Sequence, residues 1–246
     1  MARIDVREES ISLDEPFLVE GLPGVGLVGK IAVDHLIEQF SMTHYANVHC
    51  EGLPRIGVYH EDDDELKAPV RLYADPERDL LALQSEVPVS GSGAPEFAAC
   101  VSGWFEERAV TPIYLSGFPT EKDGSPEVYG VATGEASTHL DRAGIVPPRE
   151  TGFISGPTGA LLNRAVETDS DSVGLVVETD PQFPDPEAAR ALIQGGIGPI
   201  TEIEAEVDQL VEQAEQIREQ REQLAERMRQ AGEDESTQAK PLGMYQ

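Results

Sequence analysis

Lysine is nearly missing from this chain. Lys30, Lys67, Lys122 and Lys240 are the only four, and arginine supplies the rest of the 18 basic residues. Against them stand 46 Asp and Glu, giving a formal net charge of −28 over 246 residues. The clustered cations that phosphate contacts need are lacking, which argues against a nucleic-acid partner. No apolar run approaches the ~18–20 residues of a membrane span. The opening MARIDVREES has no stretch like the apolar core of a signal peptide. A cytoplasmic location and no membrane partner are therefore expected.

Reactive side chains are equally sparse. Cys50 and Cys100 stand far apart with no CxxC, and a single conceivable pair makes no disulfide framework, so redox chemistry is not expected. His35, His44, His49, His60 and His139 are scattered without a triad context, and His44, His49 and Cys50 do not have ligand spacing. The acidic run Asp62–Glu65 lacks the glycine and spacing of a calcium loop. Ser90-Gly91-Ser92-Gly93 lacks the nucleophile elbow. Neither a metal, a cofactor nor a catalytic site is expected.

What the chain does have is enough apolar residue, 39%, for a sizeable core, and global disorder is excluded. An acidic surface almost without lysine suits a cytoplasm at very high salt. There the screening length falls to ~3 Å or less and repulsion among carboxylates is damped. The acidity reads as a halophilic habitat more than as a sign of a basic partner.

The apolar pattern alternates between strand and helix. Residues 16–20 read as a strand before the turn Gly21-Leu22-Pro23-Gly24, and Ile31, Val33, Leu36, Ile37 and Phe40 have helical spacing. Strands are expected over Asn47–Cys50, Ile56–His60, Pro69–Ala74 and Leu80–Ser85, the last three joined too closely for crossover helices and so antiparallel. A helix is expected over Pro95–Arg108, and strands over 111–116 and Val128–Thr133. The second half repeats the alternation, with a strand at Thr151–Ser155, a helix to about Glu167, a strand at Ser172–Val177 and a helix from Pro186. The class is α/β, a mixed sheet with helices on both faces, and the domain is expected to span residues 1–198.

From Ile200 the pattern changes. Apolar or small residues at 200, 203, 207, 210, 214, 217, 224, 228 and 231 are spaced by threes and fours, with Arg221 interrupting. A long helix over 199–231 would extend ~45–50 Å. Its stripe includes Ile203, Val207, Leu210, Ile217, Leu224 and Met228. Two readings stay open, an oligomerisation coiled coil or a helix lying on its own domain. Residues 232–246 read as a flexible polar tail closing in Met244-Tyr245-Gln246, an apolar and aromatic anchor with a carboxylate.

One loop invites a ligand. Gly24, Gly26 and Gly29 fit G-x-G-x-x-G, and Gly24 to Lys30 fits most of a P-loop, but Ile31 stands where that loop needs Ser or Thr. A string that nearly matches two incompatible motifs reads foremost as a tight turn with close helix–sheet packing. Binding of an anion, a nucleotide or another small molecule there is the alternative.

The segment FLVEGLPGVGLVGKIAVDHLIEQF resembles the opening of the archaeal proteasome assembly chaperone family. The resemblance continues through PEVYGVATGEAS (126–137), GFISGPTGALLNRAVE (152–167) and VGLVVETDPQFPDPEAARALI (173–193). It implies a three-layer α/β fold reminiscent of nucleoside phosphorylases, with no established catalytic apparatus, and it explains the glycines as architecture. Some members end in a hydrophobic-Tyr-any residue tail that inserts between α-subunits of the 20S proteasome, and Met244, Tyr245 and Gln246 match that pattern. The resemblance thus implies a homo-oligomeric chaperone or ATP-independent activator with the α-ring as partner. A ligand-binding α/β enzyme using Gly24–Lys30, and an adaptor oligomer for some other protein, are the rivals.

Overall fold

The computed structural model describes residues 3–60, 64–120, 124–181, 184–210 and 212. Its strands are β1 (Arg3–Val6), β2 (Phe17–Gly21), β3 (Thr43–His49), β4 (Val70–Asp75), β5 (Leu80–Ser85), β6 (Thr111–Pro119), β7 (Val128–Thr133) and β8 (Ser172–Thr179). They form one sheet in the order β1-β3-β4-β5-β2-β6-β8-β7. The central strands β5, β2, β6 and β8 are parallel. Antiparallel strands close both sides, β4, β3 and β1 on one and β7 on the other.

The central strands are apolar almost throughout because both of their faces are covered. Successive side chains point to opposite faces. Val19, Leu80, Ala82, Ile113 and Leu115 thus enter one core, whereas Leu18, Leu81, Leu83 and Tyr114 enter the other. The first core is roofed by α1 (Val28–Gln39), α3 (Ser137–Ala143) and α5 (Pro186–Leu192), and α5 runs through a π-turn into α6 (Gly198–Thr201). The second lies beneath α2 (Ala94–Glu106), with Phe97, Val101, Trp104 and Phe105, and α4 (Gly156–Thr168), with Leu161. The result is the expected three-layer α/β arrangement.

Several expectations need correction. Ile56–His60 is no strand: only Val58 pairs, with Lys67, and Ile56 and Tyr59 project outward. Thr151–Ser155 is also irregular, because it meets no strand edge and its Phe153 ring is exposed. The edge strand β1 and the short helix α3 carry too weak a periodicity to have been anticipated. Cys50, just after β3, is joined to Cys100 of α2 by a disulfide, with 6.0 Å between the Cα atoms. Spacing alone did not reveal this pair, because the layering of α2 over β3 brings the two positions together. Closing a loop of that span removes about 4 kcal/mol of unfolded-chain entropy.

The boundary at residue 198 also moves. Glu202 adopts a left-handed conformation (φ 58°) that stops α6, and residues 203–207 are not helical. Ile200, Val207 and Leu210 are buried in the first core, Ile203 packs against it, and the His35 ring meets the Glu206 carbonyl at 2.6 Å. The first part of the three-and-four spacing therefore serves this domain's own interior. Ile217, Leu224 and Met228 lie outside the described residues.

Leu210→Ala is expected to lower the unfolding free energy by about 2–4 kcal/mol, as for a buried core leucine. Denaturant unfolding at several protein concentrations checks it. The difference from the parent should be the same at every concentration, whereas a difference that grows with concentration would place Leu210 in a seam between subunits.

Candidate functional site

The glycine-rich turn connects β2 to α1 at the carboxyl end of the parallel strands, the end where open α/β sheets bind ligands. Gly26 has φ 64°, and a Cβ there would collide with the Thr179 hydroxyl at the end of β8. At Gly29 a Cβ would press on the Glu20 carbonyl at 3.2 Å and on Leu115 at 3.3 Å, so its hydrogen lets α1 sit close on the sheet. The turn is further closed by its own bonds. Leu27 N–H donates to the Gly24 carbonyl at 3.0 Å, and Asp185 N–H donates to the Gly26 carbonyl at 2.8 Å. Asp185 also caps α5 through Ala188 N–H (3.0 Å) and accepts from the Thr179 hydroxyl (2.9 Å) and Asp180 N–H (3.1 Å).

Lys30 is similarly occupied. Its ammonium donates to Asp34 at 2.8 Å and to Glu86 at 3.1 Å. Burial pulls its pKa down, but the two carboxylates outweigh burial and hold it above the usual lysine value. Glu86 also accepts from Arg71 at 2.8 Å and meets His60 at 3.3 Å. Burial pushes the Glu86 carboxyl up, yet its bond to Lys30 and the other cations leave it below the ordinary glutamate range. Arg71, only 1% exposed, donates in addition to Ala68 O, Gln84 Oε1 and the Tyr73 hydroxyl. This network ties α1 to β4 and β5. It leaves Lys30 engaged with protein carboxylates, unlike the lysine of a phosphate loop. Gly26 and Gly29 thus admit close packing and Lys30 meets the protein's own carboxylates, whereas Gly24 is exposed with open space where a Cβ would sit.

Reading by motif overlooked Glu20. It is the one charge in the apolar run FLVEG, and that interruption is the signal that would have found it. Its side chain is fully buried at the end of β2. The carboxyl accepts from Leu22 N–H at 3.0 Å, Leu115 N–H at 3.1 Å and the Thr158 hydroxyl of α4 at 3.3 Å. Burial pushes its pKa up to about 7, although all three bonds pull the other way. Glu20 in turn adds to the rise that burial imposes on the Tyr114 hydroxyl. Among the described residues no group of three His, Cys, Asp or Glu is arranged to hold a metal ion, and no helix is long and apolar enough to cross a membrane. Met244, Tyr245 and Gln246 lie outside the described residues.

The PAC2 family model matches residues 18–225, most of the chain. The chain belongs to the PAC2 family. Two uncharacterized proteins of Methanocaldococcus jannaschii are similar to it, one 26% identical over 212 residues (85% of each chain) and the other 27% over 207 residues (82% of this chain, 80% of the relative). Pyrococcus furiosus PbaA, an archaeal homolog of proteasome-assembly chaperone, is 25% identical with a TM-score of 0.77, covering 94% of this chain and 99% of its own. Pyrococcus furiosus PbaB, an archaeal proteasome activator, has the same TM-score at 22% identity, covering 91% and 98%. The resemblance read from the four sequence blocks is thereby borne out. Three of those PAC2 blocks interlock at one end of the sheet, since Glu20 is bonded to Thr158 and the Gly26 carbonyl to Asp185.

For a carboxyl raised by folding, stability is complete below the unfolded pKa, near 4.5, and is lost as pH rises through the folded value near 7. The unfolding free energy is expected to fall by about 3 kcal/mol between pH 4.5 and 8 from this group. Glu20→Gln should flatten that part of the profile, and denaturant melts at a series of pH values check it. An unchanged slope in the variant would show that Glu20 is not the group responsible.

Proposed function

We propose that this PAC2 protein is a non-enzymatic, homo-oligomeric, cytoplasmic partner of the 20S proteasome that assists its assembly or opens it without ATP. The single observation that carries this reading is PAC2 membership together with the likeness to PbaA and PbaB, one a homolog of a proteasome-assembly chaperone and the other a proteasome activator. Met244, Tyr245 and Gln246 supply the contact: the tail seats between α-subunits, the Gln246 carboxylate pairs with a lysine, and the Tyr245 ring fills the adjoining apolar surface. One tail buries little area and binds weakly. Several tails on one oligomer meet a ring of repeated sockets, and effective concentration multiplies the affinity. With net charge −28 in a halophilic setting, steering is screened and the Met244 and Tyr245 contacts take a larger share of the affinity. Residues 214–231, with Ile217, Leu224 and Met228, are proposed to bring subunits together.

A second reading, an adaptor that grips another protein by its globular body, is favoured by the outward Ile56, Tyr59 and Leu66.

Binding to the 20S particle of the same species, measured by co-sedimentation in molar salt, tests the tail. Deletion of 244–246 is expected to abolish binding without changing the melting temperature. Tyr245→Ala should weaken it at least tenfold, and one glycine added after Gln246 should weaken it comparably by displacing the carboxylate. Full binding by the deleted protein would overturn the tail mechanism and favour the adaptor.

A further inference from the structure

Residues 48–56 carry the chain off the end of β3 and, with Pro69 just before β4, line an open groove of about 610 Å³. Sites that enclose small ligands have ~300–1,000 Å³. Val48, Leu53, Pro54, Ile56 and Pro69 give the groove apolar walls. Its base is fixed by the body of the domain. Cys50 is buried and joined to Cys100, and Leu53 packs against the second core. Gly52 lies so close to Gly93 that a Cβ on either residue would strike the other's backbone. A wall already held in place loses little entropy when something settles on it. Ile56 is nonetheless left 50% exposed there.

Arg55 gives the same groove a cation. It is exposed and has no hydrogen bond or ion pair among the described residues, whereas Lys30 and Arg71 are held by carboxylates. Glu51, also in the wall, is engaged in a contact of its own. In a chain of net charge −28, a free arginine beside a bare isoleucine fits an apolar segment that carries a carboxylate. Met244-Tyr245-Gln246 is such a segment, and it is attached. The stretch from 211 to 244 can extend roughly 110 Å, against roughly 45 Å across a body of this size. A tether of that kind holds its end at an effective concentration on the order of a millimolar, so a groove too shallow for a free peptide is filled by the attached one.

We propose that the groove between β3 and β4 seats the chain's own carboxy-terminal residues, with Met244 and Tyr245 against Pro54, Ile56 and Pro69 and the Gln246 carboxylate paired with Arg55. This seat and the socket of the proposed function ask for the same two things, an apolar wall and a cation, so one tail serves either but not both at once. A seated tail is withheld from the α-ring, a consequence that rests on the proposed function. Several sockets acting together draw the tails out, since the groove offers each tail a single place. At high salt the ion pair is screened and the apolar contacts carry most of the seat.

The full-length protein with the photoreactive substitution Tyr245→p-benzoylphenylalanine, irradiated without any proteasome and mapped by mass spectrometry, tests this. Cross-links within one chain are expected to residues 48–56 and to Pro69. Ile56→Asp should cut their yield at least tenfold and Arg55→Glu at least threefold. Neither should change the melting temperature, because both side chains are exposed. No cross-link, cross-links only to other parts of the body, or a yield indifferent to both substitutions would each overturn the proposal. Cross-links between two chains would overturn it too, and would assign the groove to the tail of a second copy. Because no proteasome is present, failure here leaves the tail mechanism standing, and failure to bind the 20S particle leaves the seat standing.

Discussion

Burial of β2 on both faces constrains the parts of the molecule that surround it. Leu18 and Val19 point into opposite cores, and β5 and β6 occupy both of its edges. A strand so enclosed has no room for a bulky exit, and the chain leaves through Gly21 into a turn where Gly26 and Gly29 let α1 and the end of β8 close in. The same enclosure buries Glu20, which survives there because Leu22, Leu115 and Thr158 all donate to it. A buried carboxyl with three donors costs less than a bare one, yet still resists ionisation. The local chemistry of this end of the sheet thus follows from one strand having no solvent side.

Cations are scarce in this protein, and two of them are spent inward. Arg71 and Lys30 meet Glu86, Asp34 and Gln84 in a network linking α1 with β4 and β5. All three nitrogens of the nearly buried Arg71 have acceptors, so removing a partner would strand a desolvated charge, whereas an exposed pair contributes little and is screened, above all at high salt. The outer surface is left mostly to carboxylates, in keeping with a net charge of −28. In the stretch that resembles a phosphate loop, Gly26 and Gly29 let α1 and the end of β8 pack closely, and Lys30 ties the helix to the sheet.

Membership in the PAC2 family and the likeness to PbaA and PbaB separate the body from the tail in physical terms. The body is held by two apolar cores and a disulfide, and substitutions there act on stability. The proposed tail contact depends on three residues and on how many copies act at once, and substitutions there act on binding.

Much of the layer architecture was legible from one-dimensional pattern. Val173–Val177 and Leu80–Leu83 are apolar without alternation because both faces are covered, and Ala94–Glu106 shows its buried face as Phe97, Val101, Trp104 and Phe105. The family blocks were legible for the same reason, since a turn under helix and strand contact admits few residue types. Three features were not. Ile56–His60 has strand composition but pairs only at Val58, with Lys67, and composition says nothing about neighbours. The three-and-four spacing at Ile200–Leu210 looks alike whether it meets a partner helix or, as here, the chain's own core after a left-handed stop at Glu202. Cys50 with Cys100, and Glu20 with Thr158, are pairs made only by layer stacking. Composition and periodicity thus determined the α/β class, the acidic character and which stretches are buried, because burial depends on each segment's own apolar face. Which residues meet across layers was decided by the tertiary structure alone, because contact between distant positions depends on how the layers stack.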